Sequence, residues 1–288
     1  PEFRERLKRL RLNAERLRTH SPLGPRKVQK LGAGLEFAGH RAYSPGDDLR
    51  YLDWNALGRL EQLALKVFDA PNEISVVIAF DPSATLWVGS PSKAEHLQEV
   101  AAALGYLALA NGDRAILAPT SAKAFRSFNS LNQEFELLSE IESFSPKSRQ
   151  KVDAWLAALA KVRGDTLVVL LTDFQSNEST RALIQGCLHH RARVLVIHDW
   201  LIEELSPQLE GNYLLEAIDG KGEQTSHRLE VTSTLLDEYR QEVETWRGAL
   251  QHFCQRLGVA HLETKVDESM ESIALTLVAS GIVRVKHA

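Results

Sequence analysis

Oxygen-bearing side chains stand at alternate positions in Asp81-Pro82-Ser83-Ala84-Thr85, directly after the apolar run Ile74 to Phe80. If they point one way, Asp81, Ser83 and Thr85 present a carboxylate and two hydroxyls to a common point. That is part of a hard-cation site suited to Mg2+, which takes a few protein oxygens and keeps several waters. The simpler reading of the same residues is a cap, with Asp81 and Ser83 accepting from the first amides of a following helix. A second apolar run, Asp165 to Leu171, also leads into an acid, through Thr172-Asp173. Parallel neighbouring strands that each end in an acid would bring Asp81 and Asp173 together at the carboxyl edge, where open α/β sheets bind ligands.

The elements that must position these residues follow from apolar periodicity. Ile74 to Phe80, Asp165 to Leu171 and Val194 to His198 read as strands buried on both faces, being continuous and rich in β-branched residues. Strands are also expected around Ala64 to Phe68 and over Val259 to Val266. Apolar residues at three-four spacing predict helices over Ser92 to Asn111, Leu131 to Phe144, Val152 to Val162, Ser179 to His190, Thr234 to Leu257 and Met270 to Val283. In the long helix from Thr234, the stripe Leu236, Tyr239, Val243, Trp246, Leu250, Phe253 and Leu257 reads as core. Residues 2–19 read as an amphipathic helix with basic flanks. Hairpins are expected for Arg114 to Ala118 with Ala122 to Phe128, and for Tyr213 to Ile218 with His227 to Val231. Strands alternating with helices in this way give an α/β fold: a doubly wound, mostly parallel central sheet with helices on both faces.

Between the N-terminal segment and this body lies a loop-rich stretch, residues 31–55, dense in Gly, acids and Arg. Ser44-Pro45-Gly46-Asp47 reads as a tight turn. Its charges have mutual partners, Arg41 and Arg50 with Asp47, Asp48 and Asp53, so an ion-pair network is the expected role ahead of catalysis. Three segments result: 1–27, a basic helix and linker; 28–72, the loop-rich segment with short strands; and 73–288, the α/β domain.

With 288 residues and 44% hydrophobic side chains, the chain can bury a sizeable core. The net charge of -4 conceals a basic N-terminus, since residues 1–30 carry ten Lys and Arg against three acids. Without aromatic interleaving beyond Phe3, that arm makes a thin case for nucleic acid. Cys187 and Cys254 are the only cysteines and have no metal-type spacing, which favours a reducing, cytoplasmic compartment. No apolar run approaches membrane-spanning length. His189 and His190, with His198 nearby, are discounted as metal ligands because adjacent side chains on a helix diverge.

The stretch Arg41-x-Tyr43-x-Pro45-Gly46-Asp47-Asp48-x-Arg50-x-x-Asp53-Trp54 closely resembles the signature of the DUF58 family, in which it precedes an A-type domain. The order of elements around Asp81, Ser83, Thr85 and Asp173 resembles the von Willebrand factor A fold with its metal-ion-dependent adhesion site, and the likeness runs over roughly residues 28–285. It implies Mg2+ held by Asp81, Ser83, Thr85 and Asp173, with a middle-loop hydroxyl from Ser145 or Ser148. Thr85 stands where Ser is usual, and the middle-loop Thr has no clear counterpart. The resemblance further implies a protein partner whose carboxylate completes the metal's coordination. It points to work beside a MoxR-type AAA ATPase in maturation or assembly of protein complexes.

The leading expectation is therefore a non-enzymatic protein-binding module. The alternatives are a metal-free scaffold and a Mg2+-dependent hydrolase, the latter needing Asp47, Asp48 or Asp53 beside the metal. The sequence contains no P-loop, nucleophile elbow, dinucleotide fingerprint or zinc motif.

Overall fold

The computed structural model describes residues 10–12, 29–31, 36–45, 47–60, 63–69, 73–80, 84–118, 125–144, 152–174, 177–216 and 226–285. Its strands are β1 (Leu10–Leu12), β2 (Gln29–Leu31), β3 (Glu36–Ala42), β4 (Ala64–Asp69), β5 (Ile74–Phe80), β6 (Arg114–Ala118), β7 (Arg126–Phe128), β8 (Asp165–Thr172), β9 (Arg193–Trp200), β10 (Gly211–Glu216), β11 (Ser226–Val231), β12 (Ala260–Lys265) and β13 (Val283–Val285). The α-helices are α1 (Trp54–Leu60), α2 (Lys93–Ala110), α3 (Glu134–Glu142), α4 (Val152–Leu159), α5 (Asn177–His189), α6 (Ile202–Leu205), α7 (Ser233–Leu257) and α8 (Met270–Ala279). Contacts divide the chain into two units, one of Pro1–His20 with Ile74–Ala288 and one of Ser21–Glu73.

The larger unit is an α/β fold on a mixed six-stranded sheet of order β12-β9-β8-β5-β6-β7. All pairs are parallel except β6 with β7. β5 is buried at every position, as its unbroken apolar run predicts. Its side chains alternate between two cores. Val76, Ile78 and Phe80 join Leu97, Leu104, Leu137 and Ile273 on one face. Val77 and Ala79 join Trp155, Ile184, Leu250 and Phe253 on the other. Helices therefore cover both faces, each buried Val, Leu or Ile side chain contributing about 1.5–3 kcal/mol. From β5 the chain moves first to β6 on one side and later to β8 on the other, so the strand order reverses between β5 and β8. Their register pairs Phe80 with Leu171, and the carboxyl ends of both strands meet at this switch point.

The smaller unit is an antiparallel sheet of order β2-β4-β3. The loop-rich expectation is corrected over Glu36–Ala42, which is a strand. Partnership with β4 forces it to be extended, and a register shift between Phe37 and Gly39 accommodates the glycine. Trp54–Leu60, expected as loop at its start, is helical because Asp53 accepts from the amides of Asn55 and Ala56.

Three further expectations are corrected. Of the helix expected over 2–19, only residues 10–12 are among those described, and they form a strand paired antiparallel with Val283–Val285. The helix expected to reach Val283 stops at Ala279: Gly281 takes φ 73° just past its end, releasing Val283 into β13. The apolar stripe of α7 is core only in its C-terminal half, where Leu250, Phe253 and Cys254 are buried. Tyr239, nearer the start, is 39% exposed. The turn expected between β10 and β11 lies outside the described residues, but the two strands pair antiparallel as a hairpin requires.

Candidate functional site

At the carboxyl end of β8, the Thr172 hydroxyl accepts from the amide of Phe174 at 2.8 Å. Phe174 has φ 55°, a left-handed conformation that a bulky residue adopts only when its surroundings enforce it. Its fully buried ring packs with His198 and Trp246, which supplies that enforcement. The turn holds Asp173, itself 1% exposed, at the strand end.

Two donors converge on Asp173 Oδ2. Thr85, on the 3-10 turn Ala84–Trp87, donates its hydroxyl at 2.5 Å. Lys93, first residue of α2, brings Nζ to 3.1 Å. The same ammonium donates to Glu204 Oε1 at 2.6 Å, and only 1% of the lysine side chain is exposed. Glu204 is fixed in turn, because Oε2 accepts from the Leu201 amide at 2.9 Å and its carbonyl accepts from Tyr239 Oη at 2.7 Å. Burial, followed by the Glu204 charge, raises the Tyr239 phenol above its ordinary pKa. Switch point, strand end and helix start thus assemble a carboxylate–ammonium–carboxylate cluster.

One turn further along α2, His96 Nδ1 lies 2.9 Å from Asp199 Oδ2, and its Nε2 lies 3.3 Å from the Glu268 carbonyl. Thr264 donates to the other Asp199 oxygen at 2.8 Å. Both ring nitrogens face acceptors, an arrangement that only the imidazolium, with two N–H groups, satisfies. Burial alone would lower the His96 pKa, but the hydrogen bond to Asp199 and its charge raise it overall.

Of the residues singled out from the sequence, Thr85 and Asp173 are brought into contact. Asp81, Ser83, Ser145, Ser148 and Gly46 lie outside the described residues. The remaining signature residues belong to the smaller unit, and most of them have partners there. Arg41 pairs with Asp47 at 2.8 Å and Arg50 with Asp48 at 2.6 Å, and these guanidinium hydrogen bonds hold both carboxyls below their usual pKa. Asp47 also accepts from the Ser44 amide, closing the expected turn. Asp53 pairs with His40 at 2.6 Å. The Tyr43 amide donates to Leu63, Pro45 is exposed, and Trp54 is 69% exposed.

The family model described as Protein of unknown function DUF58 matches residues 39–242. The chain belongs to the DUF58 family. A search of curated proteins returned no match.

Sequence reasoning missed Lys93, Glu204, His96 and Asp199 in this DUF58 protein. Lys93 carried a signal: the first turn of a helix favours acids, so a cation directly after Ser92 is out of place unless anions meet it. Asp199 carried another, as a third acid at the end of a buried strand. Glu204 had none, because nothing local announces a partner supplied by a distant helix.

The cluster also tests the Mg2+ that the resemblance implies. The ion takes oxygens at about 2.0–2.1 Å in near-octahedral geometry, yet Asp173 Oδ2 already receives an ammonium and a hydroxyl. At an effective dielectric of about 20, a dication about 4 Å from an ammonium is repelled by roughly 8 kcal/mol. Among the described residues, the set around Asp173 does not fit a Mg2+ seated on that oxygen.

A second metal-capable group in the DUF58 chain, His198, His261 and Glu263, has ligand atoms within 4.8 Å of one another. Here too a protein cation is in place, since Arg247 donates to both Glu263 oxygens at 3.2 and 2.5 Å. Burial, then the charges of His261, Lys93 and Arg247, push His198 down to about 3, so its imidazole is neutral. His189 and His190 pack edge to face, with ring centroids 5.7 Å apart.

Proposed function

We propose that this DUF58 chain is a non-enzymatic protein-binding module of von Willebrand factor A-like design, docking its partner at the carboxyl edge of the central sheet. One observation carries the reading: the Asp173–Lys93–Glu204 cluster adjoins exposed apolar side chains tied to the same short segment. Ile202 is 48% exposed beside Leu201, and Tyr239, 39% exposed, is bonded to Glu204. Val88, 37% exposed, precedes Gly89, whose backbone lies against Leu201. Apolar and aromatic anchors around a fixed charged centre are the composition of a protein docking surface. The charges inside are mutually paired, which suits them to shaping that surface more than to proton transfer. The partner of choice is an AAA-type ATPase of the MoxR kind, met in the cytoplasm during maturation or assembly of protein complexes.

The test is a binding titration of the full chain against such a purified ATPase from the same genome. Ile202→Asp and Tyr239→Ala should each weaken binding at least about tenfold, the loss of a well-buried anchor being worth on the order of 2 kcal/mol. Unchanged affinity in both variants, with folding intact by circular dichroism, would remove this surface from the interface. Failure of the wild-type chain to bind would remove the ATPase.

A further inference from the structure

We infer that Lys93 is the resident cation of the carboxyl-edge site: its ammonium stands beside Asp173 where a divalent ion would otherwise be drawn, and the native chain keeps this site without Mg2+. This goes beyond the docking proposal and does not depend on which partner binds.

Lysine is almost never fully buried unless paired, and Lys93 is buried with two carboxylates within 3.1 Å of its Nζ. It enters from the first position of α2, after an N-cap in which Ser92 and Glu95 exchange side-chain and backbone bonds. The partial positive charge of a helix N-terminus opposes a cation there. The ammonium is held against that bias by Asp173 and Glu204, and neither acid is loosely placed. Asp173 follows a strand end locked by Thr172 and the left-handed Phe174. Glu204 is tied through its second oxygen and its carbonyl. A rigid pair of carboxylates converging on one point, with the Thr85 hydroxyl on one of them, is chemically a hard-cation receptor. In this chain the receptor is filled by a side chain.

Removing the ammonium should therefore convert a charge cluster into a metal site. Lys93→Ala leaves the two carboxylates and the hydroxyl around space that Mg2+ with its waters, or Mn2+ as a spectroscopic stand-in, can enter. Lys93→Arg keeps the charge and should remain indifferent to metal.

The experiment is calorimetric titration of the full chain with MgCl2, paired with thermal unfolding in EDTA and in millimolar MgCl2. Wild type and Lys93→Arg should give no saturable heat and the same Tm in both buffers. Lys93→Ala should give saturable heat, and its Tm should rise with Mg2+. If Lys93→Ala is unfolded in EDTA, recovery of its circular dichroism signal on adding Mg2+ supports the inference equally. Saturable Mg2+ binding by the wild type that Asp173→Asn abolishes would overturn it. So would a folded Lys93→Ala variant indifferent to Mg2+ and Mn2+. The wild-type measurement decides alone if Lys93→Ala folds in neither buffer, with electron paramagnetic resonance of bound Mn2+ as its second readout.

Discussion

Lys93 Nζ lies 3.1 Å from Asp173 Oδ2, joining the start of α2 to the end of β8 with both side chains only 1% exposed. Breaking a buried ion cluster by removing one member leaves charge without compensation and costs about 3–5 kcal/mol. Lys93→Met, which takes the shared ammonium from both Asp173 and Glu204, should lose that much stability in urea unfolding. The triple variant Lys93→Met/Asp173→Asn/Glu204→Gln, which retires all three charges, should be more stable than Lys93→Met. If instead Lys93→Met costs less than the triple variant, the ammonium is not the anchor of this edge.

Thr85 donates to the same carboxylate. A hydrogen bond to a charged group contributes about 1.5–3 kcal/mol, so Thr85→Val, close in shape but lacking the hydroxyl, should destabilise by that amount. Thr85→Ser should recover most of it. Equal stability of the Val and Ser variants would show that the methyl group matters and the hydroxyl does not.

The buried histidines give stability opposite pH dependences on the two sides of neutrality. His198 is pushed down to about 3 by burial, so below the ordinary value of 6.5 the unfolded chain binds a proton that the folded chain refuses. Stability should fall as pH drops from 6.5 towards 3, with a slope of up to about 1.4 kcal/mol per pH unit from this group. His198→Phe should flatten that limb. His96, raised overall by Asp199 despite burial, contributes stability that is complete below its ordinary value and is lost as pH rises through its raised folded value. His96→Gln should remove that alkaline-side loss, read as urea midpoints across a pH series.

A Cβ added at Gly186 of α5 would lie 2.3 Å from Leu156 Cδ1 of α4, whereas one at Gly248 of α7 meets nothing within 4 Å. Gly186→Ala should cost about 1–3 kcal/mol through overpacking. Gly248→Ala should gain about 0.5–1 kcal/mol through helix propensity. Thermal melts of the two variants should move in opposite directions.

Cys187 and Cys254 are buried free thiols, pushed by desolvation up to about 12 and about 11. The thiolate is the reactive form, so neither should react with a thiol reagent at neutral pH in the native protein. Both should react once the chain is unfolded in urea. Rapid native labelling of either would mean that its side of the sheet opens easily.

Much of the fold was legible because its central strands are local statements. Ile74 to Phe80 and Asp165 to Leu171 are continuous apolar runs, and a run of that kind has nowhere to go but the middle of a covered sheet. Asp173 at the end of the second run and Thr85 just beyond the first were both singled out from spacing, and the structure brings the two into contact. The same local rules misjudged the segments whose state depends on a distant partner. Leu10–Leu12 has helical spacing around it but lies against Val283–Val285. Glu36–Ala42 looks like loop until β4 completes its hydrogen bonds.

By itself, then, the sequence determined an α/β domain with two acid-tipped strands and a DUF58 signature ahead of it. What surrounds Asp173 was decided only in three dimensions. Lys93 reaches it from α2, Glu204 meets that lysine from α6 and Tyr239 holds Glu204 from α7, and charge pairing in a desolvated site depends on distance through space, which spacing along the chain does not encode. Among the described residues, what meets the Asp173 carboxylate is the protein's own ammonium together with the Thr85 hydroxyl, and neither pairing follows from position along the chain.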